Sequence, residues 1–283
     1  VIERADHGTA TSVRGLAPPH PAPPAAAPLP DGSRFLPALV AVYRAQLSRV
    51  RVSRVPLLFV ATFQSVGILV LLRGIVDQHD QTQRADAVAG ATVTVVAFVA
   101  LNLLAQHFGA LRASRALDYY ATLPVPPPAV VLGVTAAYAA FTLPGTLLTA
   151  AFGALLFGLP TGGLWALLLI APVLGAALAG LGALAGLLAP RPELATLAGQ
   201  LGMSAVLFLG IIPAARLPEP IGWLRDLLPS SYAVDALAAS LRPHAGWAAV
   251  DWSALGWRLA VCAGVGILAL AAASWALRRT VSR

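Results

Sequence analysis

The chain has 283 residues, 58% of them hydrophobic and only 11% charged, whereas soluble domains carry about a quarter charged residues. With a mean hydropathy of +0.77, this composition describes an integral membrane protein. All 19 basic residues are arginine, which excludes Schiff-base chemistry on lysine and a Walker A lysine reaching a nucleotide's phosphates.

The net charge of +7 reads, in a membrane protein, as a record of orientation rather than of nucleic-acid binding. The single cysteine, Cys262, rules out an internal disulfide. Abundant alanine, glycine, proline and arginine are the usage of a GC-rich bacterial genome, an association that points to the bacterial cytoplasmic membrane.

Residues 1–34 are expected to form a disordered, polyproline-like cytoplasmic tail, with Pro18, Pro19, Pro21, Pro23, Pro24, Pro28 and Pro30 set among alanines. No cleavable signal pattern is visible in this stretch. Phe35–Arg54 has helical spacing. Leu36, Leu39, Val40, Tyr43, Leu47 and Val50 form one stripe, and Arg44, Arg49, Arg51 and Arg54 lie off it. Such a helix is expected to lie in the membrane interface and to use its arginines on anionic lipid headgroups.

Six spans are expected beyond it, at Val55–Leu72, Ala87–Gln106, Ala129–Phe157, Leu164–Leu188, Leu194–Ile212 and Trp257–Leu277, each near the roughly 20 residues that cross a bilayer. Pro144-Gly145 predicts a kink in the third span. Gly182 and Gly186, four apart in the fourth, would let a neighbouring helix approach closely. Polar residues within the spans are few. Gln64, Asn102 and Gln200 are read either as helix–helix hydrogen bonds or as lining of a substrate pathway. Acidic or basic relays, which ion-coupled carriers keep mid-span, are missing, so energy must be supplied from elsewhere.

With the N-terminus inside, 13 arginines fall on the inner side and 6 on the outer, so both termini are expected in the cytoplasm. The loop Arg112–Pro128 then faces the cytoplasm. Ala113, Ala116, Leu117, Tyr120 and Ala121 give it an amphipathic helical stripe, with Arg112, Arg115 and Tyr119 on the other side and Asp118 beside them. Leu117 and Tyr120 would turn towards the membrane. Pro124 and Pro126–Pro128 then stop the helix. The outer loop Pro213–Gly256 is expected to form two short helices dipping back into the outer leaflet around Pro229.

Catalytic constellations fare poorly. Asp77, His79 and Asp80 could hold a metal but read better as a solvated turn. Ser230-Ser231 near Asp235 and His244 would suit a hydrolase, yet no strand–turn–helix surrounds them. No metal site, no cofactor and no enzymatic activity are expected of this chain.

The layout resembles the membrane subunit of a type-2 ATP-binding-cassette exporter, a permease family that includes bacterial drug, polyketide and lipid-linked glycan exporters. The resemblance covers residues 35–283 and rests on the interfacial helix, six spans, the short Arg112–Pro128 loop and the outer stretch Trp223–Leu237. Within that stretch Pro229 and Tyr232, with Arg242 beyond it, match the family's pattern of proline, tyrosine and a helix ending near arginine; Leu228 stands where asparagine is common. The resemblance implies a separate ATPase subunit that binds ATP and Mg, and a second permease copy or sibling permease. It also implies that Arg112–Pro128 is the coupling helix, with Arg112, Arg115, Asp118 and Tyr119 as its docking face. An amphipathic substrate, drug-like or lipid, suits the apolar spans. The alternative is a non-transporting membrane scaffold or accessory subunit.

Overall fold

Every regular element in the computed structural model is helical among the described residues, which are 35–117, 125–211, 222, 225, 226, 228–242 and 252–281. The tail expected at 1–34 lies outside them. Among the described residues, six helical segments are long and apolar enough to cross a membrane: Val55–Arg73, Gln81–Ala113, Pro127–Phe157, Thr161–Leu188, Pro192–Leu209 and Leu255–Arg279. All six fall where apolar runs predict them. Their ends overshoot the apolar runs wherever polar residues supply a cap or a last turn.

The first departure is α1, Phe35–Arg73. It is one helix of 39 residues with Pro56 inside it, where an interfacial helix and a separate span were expected. Its packing shows that it is not straight. A Cβ built on Gly133 of α4 (Pro127–Phe157) would touch Val42 and Leu39 of α1, and one on Gly145 would touch Thr62 and Leu58. About 20 residues of α1, roughly 30 Å if straight, therefore face about 12 residues, roughly 18 Å, of its parallel neighbour. Two helices touching at both points can differ so much only if α1 bends. Pro56, which withholds a helical donor, lies in the interval.

The second span is the centre of the bundle. Of its most apolar window 94% is buried, against 22%, 28% and 33% for the first, fifth and sixth spans. It opens with Asp80, whose carboxylate accepts from the amides of Thr82 and Gln83 and so caps α2 (Gln81–Val96). Asp77 accepts from the amide of His79 just before it. Asp77 and Asp80 thus shape the turn before α2 and its first turn. After Val96 the backbone widens into a π-helical segment, Ala97–Leu103, before α3 (Leu104–Ala113) completes the span.

Glycines from two neighbours close on that wide segment. α5 (Leu167–Leu188) presents Gly182, where a Cβ would lie 2.5 Å from the Leu101 carbonyl oxygen, and Gly186, where one would lie 2.5 Å from that of Ala105. α6 (Pro192–Ile211) presents Gly199 against Asn102 and Gly202 against the Leu101 side chain. The glycine pair of the fourth span is therefore a real close-packing ridge, and its partner is the second span.

Hydroxyls within the spans are mostly satisfied by their own helix. Thr92 donates to the Val88 carbonyl, Thr94 to Gly90, Thr142 to Ala139 and Thr146 to Thr142. These are back-bonds within apolar helices and form no relay between them.

At the end away from the Arg112–Pro128 loop, α7 (Pro229–Ser240) packs against α2, α5 and α8 (Trp252–Val281). Its first residue lies deep, where the Cys262 thiol donates to the Pro229 carbonyl at 3.0 Å. Its last turn lies shallow, against Gly163 of the 3-10 turn Thr161–Ala166. Cys262 is seven residues inside the sixth span's start at Leu255, about 10 Å along the helix axis. The other limb expected of this hairpin, Ile221–Leu228, lies mostly outside the described residues, Trp223 included.

Candidate functional site

Three places carry the polar residues that the sequence singles out: the loop after α3, the π segment in mid-bundle, and the far end around α7.

At the loop, α3 ends at Ala113 and Arg115 adopts a left-handed backbone with φ of 55°, a conformation that costs a residue with a side chain about 1–2 kcal/mol. Arg112 and Arg115 therefore do not lie three apart on one helix, and the expected continuous stripe is broken between them. Arg112 reaches sideways. Its Nη1 donates to the carbonyls of Leu187 at 2.5 Å and Ala189 at 2.9 Å, closing the C-terminal end of α5. A cation there satisfies carbonyls that the helix leaves unpaired and complements its dipole. Arg115 is exposed. Leu117 is buried within the apolar core, not turned to the membrane, because the left-handed backbone at Arg115 breaks the helical stripe before it. Asp118, Tyr119 and Tyr120 lie outside the described residues. Ala116 and Leu117 are again helical, and α4 begins at Pro127, where a missing amide costs nothing.

In mid-bundle, Asn102 is buried on the π segment and its side-chain oxygen accepts from Gln106 at 3.0 Å. Gln64 on α1 and Gln200 on α6 are exposed in the single chain. The three amides are thus not gathered at one buried point. An apolar cavity of about 280 Å³ lies between α1 and α4, lined by Leu58, Phe59, Thr62, Phe63, Pro144 and Gly145 among others. It lies beside the close approach of Gly145 to Thr62 and Leu58 of α1.

At the far end, Pro229 and Ser231 are buried and Tyr232 packs against the core. The Ser231 hydroxyl is shared between the carbonyls of Arg225 and Leu228, the latter at 2.6 Å. It fastens the start of α7, as a serine following a helix-initial proline does, and the hydrolase reading gains nothing from it. Arg225 is buried and its Nη2 lies 2.5 Å from Asp235 Oδ1. Arg242 is half-exposed.

Sequence reasoning missed three of these features. The π segment leaves no signal in an apolar run. The Arg112 cap joins residues 75 apart or more. The Arg225–Asp235 pair joins two residues that the sequence pattern assigns to separate short helices.

The sequence profile of a family described as "ABC-2 family transporter protein" matches residues 59–275, more than half of the chain. The chain belongs to the ABC-2 transporter family. As an ABC-2 permease it is a multi-pass membrane component of an ABC transporter, not itself the ATPase, and the family implies an ABC ATPase as partner. Comparison with curated proteins gave no match. The matched region includes the whole of spans two to five, the Arg112–Pro128 loop and α7.

Proposed function

We propose that this permease exports an amphipathic molecule, a drug-like compound or a lipid, driven by ATP hydrolysed with Mg on a separate nucleotide-binding subunit. The observation that carries the reading is the position of the loop. It begins at the end of the most buried span, and Arg112 ties that end to the end of α5. A force applied at Arg112–Pro128 therefore acts on the centre of the bundle and on a second helix together, as conversion of ATPase closure into access requires. The docking face comprises Arg115, Asp118 and Tyr119, with Arg112 at its root.

The loop and both termini face the cytoplasm of a bacterial cell, on the arginine count. Two permease chains, identical or sibling, form the pathway, and the open faces of the first, fifth and sixth spans are available to that pairing or to lipid. Gln64, Asn102 and Gln200 line or support the route. Trp223, Pro229, Tyr232 and Arg242 belong to the outer hairpin that closes it. The apolar cavity beside Pro144 suits the hydrocarbon part of an amphipathic cargo.

The purified full chain should show no ATP turnover alone and should acquire substrate-stimulated turnover when joined with its ATPase. Turnover by the isolated chain would overturn the reading.

A further inference from the structure

A second cavity, of about 230 Å³, lies at the end of the bundle away from the Arg112–Pro128 loop, lined by Asp86, Arg225, Asp235, Arg242 and Arg258. Its volume is several times the roughly 30 Å³ share of one water. Three guanidinium groups face two carboxylates there, which leaves one positive charge. We propose that this cavity binds a phosphate group of the kind carried by a phospholipid headgroup, with Arg225, Arg242 and Arg258 as its donors.

Four observations point to an anion. Asp235 is already engaged, since its carboxylate sits 2.5 Å from Arg225 Nη2 while its backbone carbonyl accepts from Arg258 Nη1 at 3.1 Å. Those contacts also hold two of the three arginines in place, so the donors are positioned before a ligand arrives. Asp86 comes no nearer to Arg242 than 4.0 Å, beyond hydrogen-bond reach. Arg225 is nine-tenths buried, yet its Nε has no hydrogen-bond partner. A buried guanidinium donor left in that state costs free energy that an incoming acceptor would recover.

Depth and shape narrow the ligand. Arg258 stands three residues inside Leu255, where the apolar part of the sixth span begins, so the cavity lies at headgroup level. Arg242 is half-exposed and keeps the mouth open. A phosphate offers several acceptor oxygens to forked guanidinium donors, which a halide does not. A cation is disfavoured because the two carboxylates are outnumbered.

The test uses the purified full chain in neutral detergent and native mass spectrometry of retained lipid. The probes are dioleoylphosphatidylglycerol and dioleoylglycerol, which carries the same tails without phosphate. Wild type and Arg278→Gln, a control at the opposite end, should retain phosphatidylglycerol and not dioleoylglycerol. Arg242→Gln and Arg258→Gln should each lose retention by about tenfold or more, the range for a charge-assisted hydrogen bond. Arg242→Gln, on a half-exposed side chain, keeps the test alive if Arg258→Gln does not fold. Equal retention of phosphatidylglycerol in all four proteins, or of dioleoylglycerol by wild type, would overturn the proposal. Competition decides the source of the phosphate. Displacement by inorganic phosphate, at an ionic strength where chloride does nothing, supports a site that takes free phosphate. Absence of displacement, with the arginine dependence intact, supports a site that needs the lipid.

Discussion

Replacing Gly182 with alanine tests the packing that makes the second span the core of this permease. The added Cβ would lie 2.5 Å from the Leu101 carbonyl oxygen and 2.9 Å from that of Ala100. An unstrained carbon–oxygen contact needs about 3.3 Å, so α5 and the π segment must part by about 0.8 Å. Neither clashing atom belongs to a flexible side chain. The segment also has no room to retreat, because Gly199 and Gly202 of α6 already press on Asn102 and Leu101 from another side.

Overpacking of this kind costs about 1–3 kcal/mol, while exchanging glycine for alanine within a helix returns about 0.5–1 kcal/mol. Gly264→Ala on α8 isolates the second effect, since nothing lies within 4 Å of its Cβ position. The difference between the two variants should therefore be about 1–3 kcal/mol, with Gly182→Ala the less stable. Thermal unfolding of the two full-length proteins in the same detergent measures it. A Gly182→Ala protein as stable as Gly264→Ala would refute the close approach of α5 to the π segment.

Other expectations are simpler. Asp80→Ala removes the cap of α2 and should cost about 1 kcal/mol in the same unfolding assay. Arg112→Ala strips a charged donor from two α5 carbonyls and should lower stability by about 1.5–3 kcal/mol. Arg115→Glu should leave the unfolding temperature unchanged, because the side chain is exposed, while reducing recovery of the ATPase on co-purification. Unequal behaviour of these two arginines separates holding the bundle from docking the partner.

Much of this architecture is legible in the sequence, because a bilayer demands long apolar helices and tolerates few alternatives. The six spans follow from hydropathy alone, and Gly182 and Gly186 announce a close approach without naming its partner. The limits are physical. Arg51 and Arg54 suggest a break before the first span, yet a helix can carry arginine at the interface and bend at Pro56 without ending. The polar first turn, Gln81–Arg84, belongs to the second span because Asp80 caps it, which hydropathy does not register. Helical spacing carries a stripe through Arg115, where the backbone turns left-handed. The π segment depends on glycines 80 to 100 positions away, beyond the reach of any local pattern. Of the candidate functional residues, Arg112 stands out in the sequence only as a charge on the loop, and its bond to α5 joins residues too far apart for any local pattern to show.

The central claim is that energy enters this permease at Arg112–Pro128 from a separate ATPase. Its most direct test is chemical crosslinking from that loop. Cys262 is buried, so Arg115→Cys places a single accessible thiol on the exposed turn. With a short photo-reactive reagent attached, the assembled transporter should yield one adduct joining the permease to its ATPase, and the yield should change when ATP is added. Adducts formed only with lipid or with a second permease chain, in a preparation that still hydrolyses ATP, would contradict it.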